Sequence, residues 1–208
     1  MTKRRGLDFA FAVASTDDVK VLYANWASTY DAGFGQAQGY QIPREVVHAF
    51  LGAGGMGPVL DVGAGTGLVG EGLKATGIGP VDALDLSRDM IEVARVKDVY
   101  RSLIVGDLLA DGILPAKTYS GVVSAGTFTL GHVGPEGLDP LLATAVSGAL
   151  IVISVNEQHY VAADFAAAIE RLSPQITDRS DRMVRIFDDR AEAAHRDDLA
   201  RLLTFRKV

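Results

Sequence analysis

The chain reads as a doubly wound α/β domain, a mostly parallel sheet covered by helices on both faces. Three observations predict it. Short apolar runs alternate with helical patterns from residue 59 onward. The first run, Val59 to Val62, passes directly into a glycine turn (Gly63, Gly65, Gly67) and then a helix start at Leu68. Aspartates stand near the ends of successive runs, at Asp61, Asp85 and Asp107. Repeated strand–helix units imply parallel strands with right-handed crossovers, and in such sheets a ligand lies beyond the carboxyl ends of the strands.

Composition sets the outer limits. The 208 residues suffice for one domain with a substantial core, and 48% hydrophobic with 22% charged residues describes a globular chain. A net charge of -6 argues against a dominant phosphate-binding surface, so nucleic acid is not an expected partner. With no cysteine there is no disulfide framework, thiolate metal site or cysteine nucleophile, and no metal is expected. Lys3, Arg4 and Arg5 before a short apolar run imitate a signal peptide, but Asp8 interrupts that run. No apolar run approaches the ~20 residues of a membrane span. The expectation is a cytoplasmic protein without a membrane partner, a monomer or homodimer.

The elements follow in order. Thr16 to Tyr30 reads as a helix, with Val19, Leu22, Tyr23, Trp26 and Tyr30 at three- and four-residue steps. Gly33, Gly35 and Gly39 loosen the next stretch into a candidate flap, and a second helix starts around Pro43, whose ring suits a first turn. Residues 1–52 are therefore expected as a helical cap and 53–208 as the core of the same domain. Val59, Leu60 and Val62 form the first strand and Leu68 to Lys74 a helix. Val81 to Leu86 is the second strand, and Ser87 caps a helix through Met90, Ile91 and Ala94. Leu103 to Val105 is the third strand, ending at Gly106 and Asp107; Val122, Val123 and Ala125 mark the fourth. After the loop 126–135 come a helix from Leu138 to Val146, a buried strand from Ala149 to Val155 and a helix from Tyr160 to Leu172. Met183 to Phe187 and Leu199 to Phe205 read as an antiparallel edge pair joined by a charged turn.

Four strand ends carry groups suited to a nucleoside. Glycine lets backbone approach a ligand closely and takes positive φ without steric cost. Asp85 lies twenty residues after Gly65, the spacing at which a carboxylate meets both ribose hydroxyls. Asp107 can accept from an adenine amino group while Leu108 and Met90 pack on the ring. Gly65, Gly67 and Gly70 also satisfy G-x-G-x-x-G, so an NAD-dependent oxidoreductase fits this window. Against it, no Tyr-x-x-x-Lys is present and the chain ends soon after the fifth strand.

The run L-D-V-G-A-G-T-G at 60–67, followed by D-L-S-R-D-M at 85–90, resembles the class I S-adenosylmethionine-dependent methyltransferases. V-G-D at 105–107 and S-A-G at 124–126 fit as well. The stretch Tyr23 to Asp31 is similar to the aromatic cap of small-molecule members, and S-A-G-T-F-T-L-G-H-V at 124–133 resembles the methyltransferase-like subgroup of the vertebrate Williams–Beuren region. The resemblance implies a Rossmann-like, seven-stranded sheet with its last strand antiparallel. It implies that Gly63, Gly65 and Gly67 receive the methionine part of S-adenosylmethionine, with Asp61 supporting its ammonium through the loop. Asp85 would hold the ribose, Leu86 and Met90 would flank the adenine, and Gly106, Asp107 and Leu108 would read its edge. Ala125 would complete the pocket, Trp26 and Tyr30 would close it, and Arg44 is the candidate partner of the cofactor carboxylate. The product would be S-adenosylhomocysteine (SAH).

Methyl transfer from a sulfonium is an in-line displacement, for which the protein mainly supplies alignment and a shaped cavity. A base is needed only where the acceptor carries a proton; His132 is the candidate and His159 the second choice, since imidazole titrates near neutrality. No Asn/Asp-Pro-Pro-Tyr follows the fourth strand, so the expected acceptor is an O, N or C atom of a small molecule. A non-catalytic cofactor-binding regulator is the remaining alternative, since folds do not fix functions.

Overall fold

The computed structural model describes residues 38–208. The expected first helix, with Trp26 and Tyr30, lies outside the described residues. Seven strands form one sheet in the order β3-β2-β1-β4-β5-β7-β6. They are β1 Val59–Val62, β2 Val81–Asp85, β3 Ser102–Val105, β4 Tyr119–Phe128, β5 Ala145–Asn156, β6 Ile176–Arg185 and β7 Leu199–Lys207. β1 to β5 pair in parallel, and β7 runs antiparallel between β5 and β6. A dinucleotide fold would continue in parallel after its fifth strand; here the antiparallel β7 takes that place.

The sheet is covered on both faces, and the period of two along its strands assigns each residue to one of them. Leu60, Val122, Ile151 and Ile153 join a cluster with Phe128, Leu141 and Phe165. Val59, Val123, Leu150 and Val152 join the opposite cluster, with Val46, Phe50 and Leu73. The helices supplying those faces are α1 Ile42–Gly52, α2 Leu68–Ala75, α3 Arg88–Val96, α4 Leu138–Thr144, α5 Glu157–Ala162 and α6 Phe165–Arg171. α1 places Pro43 in its first turn and buries Ile42, Val46, Val47 and Phe50, so it belongs to the packed core of the second face. Ser87 caps α3, its hydroxyl accepting from the Met90 amide at 3.3 Å.

Several boundaries differ from the sequence expectation. The helix expected over 160–172 is two short helices, broken where Asp164 adopts φ +52° and its side chain accepts from the Ala167 amide to start α6. β4 runs through Phe128, further than its apolar pattern suggests. β6 begins at Ile176, and its exposed polar run is legible once it is an edge strand, which needs an apolar residue only where it touches the body. Among the described residues no helix is long and apolar enough to cross a membrane.

Candidate active site

β1 delivers the chain to the glycine turn. The amides of Gly63 and Ala64 donate to the carbonyl of Leu84 on β2, at 2.8 and 3.1 Å, which anchors the turn to the neighbouring strand. Gly63 has φ +66°, and a Cβ there would fall on the hydroxyl of Thr127. Thr127 and Ser124 both donate to the Val62 carbonyl, at 3.0 and 2.7 Å, so the fourth strand end is tied to the first. Gly67, with φ +94°, precedes α2. Only glycine takes such a backbone without strain.

A cleft of about 1230 Å³, including its open mouth, runs across these strand ends. It is lined by Gly63, Gly65, Asp85, Leu86, Met90, Gly106, Asp107, Leu108 and Ala125. Tyr40, Thr127, His132 and Val133 also line it. Asp85 is half-buried at the exit of β2, where it accepts from the amides of Gly65 at 2.7 Å and Ser87 at 2.8 Å. Burial raises its pKa, and those two amides offset part of the rise. Each carboxylate oxygen retains a second lone pair, so a pair of vicinal hydroxyls can still be received. Asp107 caps its own turn by accepting from the Leu109 amide at 2.9 Å.

Three of the expected residues do not line the cleft. Asp61 is fully buried behind the turn, with Tyr100 donating to it at 2.6 Å, and does not line the cleft. Gly67 shapes the helix start but is not a lining residue. Arg44 projects outward with its side chain 62% exposed, held by Gln41 at 2.7 Å and Glu45 at 3.5 Å. It is outside the cleft because α1 turns its apolar stripe, not this position, toward the core.

His132 lines the cleft, and its Nδ1 lies 3.1 Å from the Leu130 carbonyl. A carbonyl can only accept, so Nδ1 carries the proton and Nε2 is the basic nitrogen. Burial lowers the pKa of His132, partly opposed by the Leu130 carbonyl, which keeps the ring in its neutral, proton-accepting form near neutrality. His159 is buried, its Nε2 donating to the Val133 carbonyl at 3.0 Å, and is not on the cleft. It orders the loop that carries His132.

Sequence reasoning missed Tyr40, Thr127 and Val133 as cleft residues, and Tyr100 behind it. Thr127 and Val133 stood within a quoted motif; Tyr40 and Tyr100 left no signal, because their partners are distant in sequence.

The comparisons agree with this geometry. Residues 59–147 match the family model described as a methyltransferase domain. Human methyltransferase-like protein 27 is 30% identical over 140 residues, which are 65% of this chain and 56% of that protein. The chain therefore spans little more than half the length of that curated relative. Magnesium protoporphyrin IX methyltransferase from Synechocystis, solved with bound SAH, superposes with a TM-score of 0.65 at 17% identity, over 92% of this chain and 99% of that one. The [4+2]-cyclase SpnF superposes with a TM-score of 0.69 at 12% identity, over 94% and 97%. At such identities the two structures establish the shared fold. The family match over residues 59–147, the shared fold and the strand-end geometry point the same way, toward a methyltransferase domain.

Proposed function

We propose that the protein methylates a small molecule at a proton-bearing atom, using S-adenosylmethionine, with His132 as the base. The observation that carries this reading is that one cleft is lined both by Asp85 and by His132, whose Nε2 is the basic nitrogen. The groups present fit the cofactor. The glycine turn leaves space where a Cβ on Gly65 would meet nothing within 4 Å, and Met90 with Leu108 offers an apolar seat for adenine. Asp85 would hold the ribose and Asp107 the adenine edge.

Bound S-adenosylmethionine supplies an electrophilic methyl on a sulfonium. The chain's own residues then align and deprotonate. His132 takes the acceptor's proton at Nε2. Alignment of this kind contributes ~7–11 kcal/mol. The finer placement, near methyltransferase-like protein 27, is supported by its 30% identity and by the 124–133 motif.

Calorimetric titration with S-adenosylmethionine, SAH and NAD should give binding of the first two alone. Release of SAH in the presence of a panel of phenols, carboxylic acids and amines would identify the acceptor class. With a turned-over acceptor, His132→Ala should lower kcat by ~10²–10⁴. A loss smaller than tenfold removes His132 from the base role. Cofactor binding with no transfer to any acceptor favours the regulator, and the cyclase that shares this frame shows why that panel is needed.

A further inference from the structure

Asp61 is the one buried charge of the site that the reaction, as described, leaves unused. It is fully buried on β1, on the face that also carries Val59, Val69 and Leu73. Its Oδ2 accepts from the Tyr100 hydroxyl at 2.6 Å, and its Oδ1 has no partner among the described residues. Either protonation state leaves something unmet there: a bare oxygen if ionised, an acceptorless hydroxyl if protonated. Buried polar groups are ordinarily satisfied, so an orphan directly behind a ligand-binding turn calls for a partner.

Tyr100 does more than donate. A Cβ on Gly70 would collide with its ring, and one on Gly67 would lie 3.1 Å from its Cε2. The ring therefore packs against the first turn of α2, where the glycine turn becomes helix. One side chain, from the segment before β3, touches both the carboxylate and the helix start.

We propose that Tyr100 is a positioning residue of the cofactor site: its hydroxyl holds Asp61 as a carboxylate beneath the glycine turn, and its ring fixes the turn's exit into α2, so that the cationic part of the cofactor binds over a fixed negative charge. The proposal rests on the methyltransferase reading above. Asp61 acts through the turn rather than by touching the ligand. The titratable groups acting on it among the described residues are Tyr100 and Asp85. Burial lifts Asp61 to about 7, the Tyr100 hydrogen bond pulls it down, and the Asp85 charge lifts it further. Loss of the hydroxyl removes the only lowering influence.

The test is calorimetric titration of the whole chain with S-adenosylmethionine and with SAH between pH 6 and 9, for wild type, Tyr100→Phe and Asp61→Asn. In wild type the affinity for S-adenosylmethionine should tighten as pH rises through about 7. Tyr100→Phe keeps the ring and should move that transition upward by roughly one unit, which weakens binding about fivefold at pH 7 and restores it near pH 9. Asp61→Asn should bind more weakly, with a flat pH profile. A Tyr100→Phe profile that superposes on wild type overturns the inference alone. If Tyr100→Phe does not fold, Asp61→Asn decides: retained pH dependence overturns the inference. Wild type that binds neither compound overturns the methyltransferase reading and this inference with it.

Discussion

Two aspartates buried in adjacent strands, Asp61 and Asp82, are handled in opposite ways. In the register of β1 on β2, Asp82 sits opposite Leu60 and Asp61 opposite Ala83, so the two carboxylates point to opposite faces. Asp82 is 4% exposed and fully partnered: Arg101 donates to both oxygens, at 2.9 and 2.6 Å, and Tyr119 adds a third bond at 2.9 Å. Burial pushes its pKa up, but Arg101 and Tyr119 together outweigh that and hold it below the usual carboxylate range. Asp61 has one phenol and no cation, and rises to about 7. The difference separates a charge that holds the fold from one kept in readiness for a ligand. A charge satisfied internally has nothing left to offer a ligand; one left half-satisfied does, at a cost in stability.

The largest expected effect comes from breaking the satisfied member. Arg101→Met should leave Asp82 buried without its cation and cost about 3 kcal/mol, the low end for a broken buried pair because Arg101 is half exposed. For a chain of this size that is a fall in Tm of about 6–12 °C. Because the folded pKa of Asp82 is depressed, its stabilisation is present above the unfolded value of 3.8 and lost as pH falls through the lower folded value. The Tm difference between wild type and variant should therefore shrink below about pH 4. Cofactor affinity should not change.

The opposite sign is expected at Asp61. Its folded pKa lies above its unfolded one, so between 3.8 and about 7 the folded state binds the extra proton and stability falls as pH rises. Asp61→Asn keeps an oxygen for Tyr100 and removes that charge. It should be more stable than wild type by about 2 kcal/mol at pH 8, with the gap closing toward pH 4, while binding cofactor less well. Thermal melts at the two pH values check it; equal melting temperatures at pH 8 would erase the contrast between the two aspartates.

How much of this was legible beforehand depends on range. Signals that lie within one stretch came through: the glycine turn, the Ser87 cap, the spacing of Asp85 from Gly65, and the apolar periodicity of the inner strands. β6 and β7 were expected as an antiparallel edge pair, but the insertion of β7 between β5 and β6 was not, since it depends on which edge is free. Residues whose meaning is a distant partner were opaque. Tyr100 meets Asp61 across 39 positions, and no local pattern pairs them. Asp61 was expected to act through the loop; what the motif did not reveal is the phenol that holds it there. Arg44 was chosen for its charge near the cap, but a helix's exposed face cannot be aimed at a pocket by charge alone.

The smallest expected effect sharpens the comparison most, because it isolates burial from geometry. Arg171 grips Asp139 with the same two-pronged arrangement as Arg101 on Asp82, at 3.0 and 2.7 Å, but on the surface, with side chains 54% and 51% exposed. Water competes for both partners, and salt screens them, with a Debye length of about 3 Å at 1 M. Arg171→Ala should therefore move Tm by no more than about 2 °C at low salt, and by less in 1 M sodium chloride. The Arg101→Met effect should persist at high salt, because ions cannot enter the space around Asp82. If both variants lost the same stability, or if salt removed both effects equally, bidentate geometry rather than burial would be what distinguishes Asp82. Asp61 would then lack only a well-shaped partner. If only the buried pair survives salt, the cost carried at Asp61 is the cost of an unmatched charge in a dry interior, which a cationic ligand over the turn would relieve.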